Sequence, residues 1–347
     1  MFDFLIVGQG IAGSVMAITL IEKGYTVCVI DKPNLSLSSK VAAGIWNPVV
    51  FKRLAKSWLA DEVVPELEKF YSSFENTSNT SFLFRRHIIK PFTETQEQQF
   101  WIKKAESDNT FLDKEVYSNL SISENDVIES YSKVLLAGNI DLRVFLNEVQ
   151  VYLKQKNALV EEQFEYHDLI FNEEKITYKS IESKQIIFCE GYLISENPLF
   201  NFIPLKPAKG EILTIECKEL ELTTDILNKG IFILPLGNHQ FKIGATYEWQ
   251  ELNDTPTDKR KLELETKLQA VLHIPYTIIN HEAGVRPSVI DRRPVIGKHP
   301  IHKNCFVFNG FGTKAVMLAP YFANQLCDFI QFNKPLHPEV NCSRFVK

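Results

Sequence analysis

The 347-residue chain has no surplus of positive charge, no paired-cysteine motif and no apolar run long enough to cross a bilayer. Its 38 Lys and Arg stand against 43 Asp and Glu, a net charge of −5. That balance removes the electrostatic reason for nucleic acid or an anionic membrane as the main partner. The six cysteines (Cys28, Cys189, Cys217, Cys305, Cys327 and Cys342) are scattered without a C-x-x-C pair. Such usage argues against a zinc site or redox dithiol and fits a reducing compartment. The eight histidines show no ligand spacing, so no metal is expected. The apolar start FDFLIVG lacks a basic region and runs into a glycine loop; it reads as a buried strand, not a secretory signal. The late stretch AVMLAPYFANQLCDFIQF is broken by Pro320, Asn324, Gln325 and Asp328. A span needs about 20 consecutive apolar residues, so this is a buried helix, and the expected location is the cytoplasm. No internal repeat or low-complexity tract is evident. SFENTSNTS and SDNTFLDKEVYSNLSISENDV are Ser-, Asn- and Asp-rich and read as exposed loops.

What is present is an ordinary globular composition, 45% hydrophobic and 23% charged, of a length suited to two domains or one large one. FDFLIV is a continuous apolar run of the kind a strand buried on both faces requires. It enters GQGIAG, a G-x-G-x-x-G at Gly8, Gly10 and Gly13, followed by SVMAITLIEKG with helical spacing and Gly24 as the expected C-cap. YTVCVID then forms a second strand ending at Asp31. Gly8 permits the tight turn, Gly10 lets a pyrophosphate approach backbone N–H groups, and Gly13 allows close helix packing. An acid about 20 residues on accepts from ribose hydroxyls. A lone G-x-G-x-x-G is weak; between strand and helix, with the acid in place, it predicts a bound dinucleotide. NAD and FAD share this fingerprint.

Small residues crowd Ser38, Ser39, Ala42, Ala43 and Gly44 ahead of Trp46 and Pro48, a loop suited to lying against a flat ligand. Farther on stand SKQIIFCEGY, PLKPAKGEILTIE and IFILPLGNHQFKIGATYEW, the last with strand alternation about a Gly-Asn turn. Near the end come AGVRPSVIDRRPVIGKHP and NCFVFNGFGTKAVMLAP. Together these segments resemble the FAD-dependent oxidoreductases of the D-amino-acid oxidase superfamily, in the glycine oxidase and sarcosine oxidase branch, over nearly the whole chain. The resemblance implies an α/β protein: a Rossmann-type FAD-binding domain, glutathione-reductase-like, with an interleaved antiparallel-sheet substrate domain. The first would comprise residues 1–75, 130–205 and 285–347, the second 76–129 and 206–284. FAD contacts would come from Gly8, Gly10, Ile11, Ala12, Gly13, Asp31, Lys32, Ser38, Ser39, Ala43 and Gly44. Phe164 would contribute through its backbone, joined by Glu190, Gly191, Gly310, Gly312, Thr313 and Lys314. Relatives with covalent flavin carry His where this chain has Val41, or Cys in the stretch where AGVRPSV has none, so the FAD is expected to be non-covalent.

The expected chemistry is oxidation of a small amine or amino acid to an imine, with reoxidation by oxygen or another acceptor. Arg286 sits where the resemblance places the substrate anchor, and a guanidinium pairs with a carboxylate in two-pronged fashion. Pro287 disfavours a helical conformation at Arg286. Trp46 and Tyr247 are expected to wall the pocket. The N-terminus of the final helix, with Lys314, would stabilise negative charge on the ring. The chain departs from the resemblance in two respects: Thr313 and Lys314 stand where glycine oxidases carry a second arginine, and Ala315 where a glycine is usual. A flavin domain of the tRNA-modifying type and a non-catalytic FAD-binding protein are the alternatives. A disulfide reductase would need a second G-x-G-x-x-G and a redox cysteine pair, and neither is present. Substrate identity, electron acceptor and oligomeric state are not legible.

Overall fold

A computed structural model describes residues 1–32, 37–107, 110–124 and 126–346. Residues 33–36, within the polar half of the loop after Asp31, lie outside it, as do residues 108–109 and 125 of the second Ser/Asn-rich stretch.

Two sheets carry the structure. The first is centred on β1 (Phe2–Val7), which pairs in parallel with β2 (Val27–Asp31) on one side and with Ile181–Phe188 on the other. Leu159–Glu161 extends it past β2, and Cys305–Asn309 lies parallel to Ile181–Phe188. The apolar run of β1 is buried over its last four residues, which a strand covered on both faces requires. Helix α1 (Ile11–Glu22) crosses from β1 to β2 and packs on the long helix Ala315–Phe332. The latter is the late apolar stretch, buried as expected. Among the described residues no helix is long and apolar enough to cross a membrane. Lys23 caps α1, and Gly24, the expected cap, lies one residue beyond it.

The second sheet runs in the order Thr277–Arg286, Ala208–Glu216, Gln240–Gly244, Phe232–Gly237, Ile226–Asn228, Leu83–Pro91, Val127–Ile140, Ile45–Trp46. All pairings are antiparallel except Ile226–Asn228 with Leu83–Pro91. The hairpin turns at Asn238–His239, both at positive φ, one residue later than the Gly-Asn turn expected. That is the two-residue turn whose twist matches a right-handed hairpin. The boundary expected at 130 falls inside Val127–Ile140, a strand wholly in the second sheet. The other sheet boundary, near 285, falls within a residue of the end of Thr277–Arg286.

Candidate active site

A cavity of about 540 Å³ is lined from both sheets. On the first-sheet side, the turn from β1 into α1 places Gly8, Gly10, Ile11 and Ala12 in its wall. Gly13 is not in the wall; it lies behind it, where α1 meets the turn. A Cβ there would sit 1.8 Å from the Gly8 carbonyl oxygen, so only glycine lets the helix start this close to the strand. The N-terminus of α1 has no side-chain cap and no acid in its first turn. Among the described residues only the Ile11 N–H of this first turn has a side-chain partner, Ser39 Oγ at 3.2 Å. Free N–H groups and the positive end of a helix favour a phosphate.

Asp31, at the C-terminal end of β2, also lines the cavity, with Oδ1 accepting from the Gln9 N–H at 2.8 Å. Burial raises its carboxyl above the usual range, against the Gln9 bond. Lys32, Ser38, Ser39, Ala43, Gly44, Phe164, Glu190, Gly191, Gly312 and Thr313 border the same cavity. Phe164 stacks on Tyr178, ring centroids 4.5 Å apart. A long cavity with an uncapped helix start, a free carboxylate oxygen at the next strand end and stacked aromatics is a donor set that fits FAD.

Glu190 takes hydrogen bonds from Tyr166 Oη at 2.6 Å and Asn197 Nδ2 at 2.8 Å. Burial dominates these bonds and pushes its carboxyl up to about 7 from the usual 4.5. Between those two values the native chain keeps a proton that the unfolded chain has released. Stability therefore falls as pH rises across that window, by about 3 kcal/mol at ~1.4 kcal/mol per unit. Thermal melts of FAD-depleted protein from pH 4.5 to 7.5 should show this decline, and Glu190→Gln should flatten it. An equal decline in the variant would assign it elsewhere.

On the second-sheet side stand Arg286 and Tyr247. Arg286 ends its strand, extended as its position before Pro287 requires. Its guanidinium lies against Gly210, and Nη1 donates to the carbonyls of Lys209 and Thr246, each at 3.2 Å. It sits 4.4 Å from the centre of the Tyr247 ring. Protein packs around most of the group and burial lowers its pKa, yet among the described residues no carboxylate pairs with it. A desolvated cation without an anion is costly.

Beneath it are two buried charges that sequence reasoning missed. Lys209 and Glu211 are each 1% exposed and 3.6 Å apart. Lys209 bonds Asn253 at 2.8 Å and also the Thr255 carbonyl; Glu211 accepts from the N–H and hydroxyl of Thr257 at 2.9 and 3.0 Å. His281 Nε2 is 2.8 Å from Glu211, off the hydrogen-bond line. These bonds tie down the segment 245–257 that carries Tyr247. In the sequence they read as ordinary strand charges.

Besides Gly13, three residues stand elsewhere than expected. Trp46 is 1% exposed and outside the cavity wall, its indole donating to the Leu136 carbonyl at 2.9 Å. A ring that size is held in the core, where its N–H finds a backbone partner. Lys314 turns away from the cavity onto Ser57 Oγ at 2.8 Å, and burial, then nearby Arg293, lowers its pKa. Its neighbours Gly312, Thr313 and Ala315 do border the cavity, while its ammonium does not. Gly310 packs on Val289 and Val295 outside the wall. Asp291 binds Arg344 at 2.9 Å and so tethers the C-terminal segment. Arg293 pairs with Glu339 at 2.6 Å.

Wall residues that were not among the sequence candidates include Asn47, Tyr166, Asn228 and Phe232. Cys189 lines the wall too, and burial drives its thiol well above the usual range.

Comparison with known proteins agrees with this reading. The bifunctional protein ThiO/ThiG of Trichormus variabilis is 25% identical over 386 aligned positions, covering 99% of this chain and 55% of that protein. Glycine oxidase of Pseudomonas putida is 28% identical over 138 residues, 39% of this chain and 37% of its own length. The chain thus spans about half or less of the curated relatives it matches. The crystal structure of glycine oxidase from Bacillus cereus shares the fold at a TM-score of 0.82 and 17% identity, over 97% of this chain and 99% of that one. The model of the FAD dependent oxidoreductase family matches residues 3–329. Since that match takes in both sheets and every segment that borders the cavity, the chain belongs to this family of FAD-dependent oxidoreductases.

Proposed function

We propose that the enzyme oxidises a small amino acid or amine whose carboxylate is held by Arg286. The observation that carries this reading is a mostly enclosed guanidinium at the cavity wall, bonded to carbonyls and stacked on an aromatic ring, with no acid paired to it among the described residues. A carboxylate arriving there supplies the missing counter-charge, and the fork geometry orients it. Relatives named glycine oxidase support an amino-acid substrate. Bound FAD supplies a two-electron acceptor. The amine loses two electrons and two protons to become an imine, which water hydrolyses; oxygen taking up the electrons gives hydrogen peroxide. Apart from Arg286, Tyr247 and Asn228, the second-sheet side of the cavity is lined by apolar residues, among them Ile88, Ile212, Ile226 and Phe232.

The test is a panel of amines and amino acids scored for anaerobic bleaching of the flavin. Amino acids should bleach it and the corresponding amines without carboxylate should not. Equal bleaching by both sets would end the anchoring assignment. Bleaching only by a modified tRNA nucleoside would favour the tRNA-type alternative, and no bleaching by any member would favour a non-catalytic flavoprotein.

A further inference from the structure

Four acids line the cavity: Asp31, Glu162, Glu190 and Glu196. Glu162 pairs with Lys179 at 3.1 Å. Asp31 has Lys40 in electrostatic reach, and Glu196 is exposed to solvent. Glu190 differs. Its oxygens take hydrogen bonds from Tyr166 Oη and Asn197 Nδ2, both neutral groups, and among the described residues no cation pairs with it. Protein packs around the carboxyl except where it meets the cavity.

The groups that face it from neighbouring elements add no positive charge. Cys189 precedes it, Cys305 stands on the adjacent parallel strand, and Tyr166 comes from the turn Tyr166–Asp168. Burial first, then the Glu190 charge, drives the Tyr166 hydroxyl and the Cys305 thiol upward, so both stay neutral. The segment Gly191–Glu196 contributes Tyr192 to the wall and, in Glu196, a second negative charge. Lys32, also at the wall, is engaged with Gln163 at 2.9 Å.

The place of this acid in the fold gives its charge a consequence. Gly8 opens the turn into α1, and a Cβ on it would fall 2.7 Å from the Cys189 carbonyl oxygen and 3.5 Å from Glu190 Cα. The backbone of Glu190 thus abuts the turn whose free N–H groups suit a pyrophosphate. A pyrophosphate bridge is doubly negative at neutral pH, and a ligand filling the cavity removes the water that the carboxyl meets there. Like charge and desolvation both favour the protonated acid, and an enclosed carboxylate without a cation is costly. Burial already pushes the group up to about 7, so only a small further displacement is needed.

We propose that FAD is taken up together with one proton, held by Glu190, so that the bound dinucleotide lies against a neutral carboxylic acid. The proton comes from solvent and returns to it when FAD leaves; no bond in the cofactor changes. Cofactor retention then depends on pH. By linkage, affinity is level where the ligand-free protein already holds the proton, and it falls with rising pH where binding must draw the proton in. The first regime lies below about pH 7 and the second above it.

The experiment dilutes holoenzyme into buffers from pH 5.5 to 8.5 and reads released FAD by its fluorescence. Wild-type Kd should be level at first and then rise, by up to about tenfold per unit of pH, to at least fivefold at the upper end. Glu190→Gln, which copies the neutral acid in shape, should bind FAD at least as tightly as wild type at pH 6 and show no rise. Infrared spectra of the wild-type holoenzyme at pH 7.5 should carry the C=O stretch of a protonated carboxylic acid that the variant lacks. Should the variant fold poorly, that band should persist to higher pH in FAD-loaded than in FAD-depleted wild type. A level wild-type Kd, or a rise that survives in Glu190→Gln, would overturn the proposal, as would a band that FAD does not move. Weaker binding by the variant at every pH would overturn it too, and would make Glu190 an ionised acceptor for a ligand hydroxyl.

Discussion

Arg286→Ala should remove most turnover of a carboxylate substrate while the purified protein keeps its full complement of FAD. Truncating one partner of a desolvated charge pair costs about 2–5 kcal/mol, which at ~1.4 kcal/mol per decade is roughly 30- to several-thousand-fold in kcat/KM. The loss should concentrate on substrates with a carboxylate. Arg286→Lys keeps the charge but not the fork, and a lysine ammonium cannot make two parallel bonds to one carboxylate. It should therefore recover only part of the activity. The guanidinium also bonds the carbonyls of Lys209 and Thr246, so a structural role is the competing explanation. Flavin content separates the two. Loss of FAD along with activity would make Arg286 structural, and unchanged kinetics on a carboxylate substrate would rule out anchoring.

Asp31→Ala should weaken FAD retention more than any other single change outside the glycine turn. The carboxylate holds the turn into α1 through the Gln9 N–H and keeps Oδ2 for a ligand hydroxyl. Hydrogen bonds to a charged group are worth about 1.5–3 kcal/mol, or roughly 10- to 150-fold in Kd. Fluorescence recovery on dilution of the holoprotein reads this directly. Asp31→Asn, which retains an acceptor but not the charge, should fall between. Acid precipitation of the wild type should release all the flavin as FAD. The resemblance puts Val41 where a histidine link would need histidine, and AGVRPSV has no cysteine for a cysteinyl link. Fluorescence remaining on the precipitated polypeptide would contradict the non-covalent assignment, and a variant with unchanged Kd would contradict the role of Asp31.

Much of the cofactor half was legible because it is local. A strand, a glycine turn, a helix and a second strand lie within 31 consecutive residues, and each residue's role follows from its neighbours in sequence. The late stretch was legible for the same reason: Pro320 and the polar breaks argued against a span and left a buried helix. Legibility failed where a side chain could turn either way. Trp46 and Lys314 sit beside residues that do face the cavity, but a strand or tight turn sends adjacent side chains in opposite directions, and sequence does not say which. Trp46 went to the core and Lys314 to Ser57.

The substrate half depended on contacts between distant segments. Arg286 was marked by its Pro287 neighbour, yet its lack of a carboxylate partner is a property of everything packed around it, including Gly210, Tyr247 and the Lys209–Glu211 pair beneath. The apolar wall joins Ile88, Ile212, Ile226 and Phe232 through three pairings of the second sheet and a bare position at Gly244. Read singly along the chain, each is an ordinary strand residue. By itself the sequence determined that this protein folds around a dinucleotide on a parallel strand–helix–strand unit, since close backbone packing at glycines and an acid at a strand end are local demands. Only the tertiary structure decided what faces that cofactor. The register of non-adjacent strands sets which side chains share a cavity, and burial without a partner is a relation among segments that no single stretch contains.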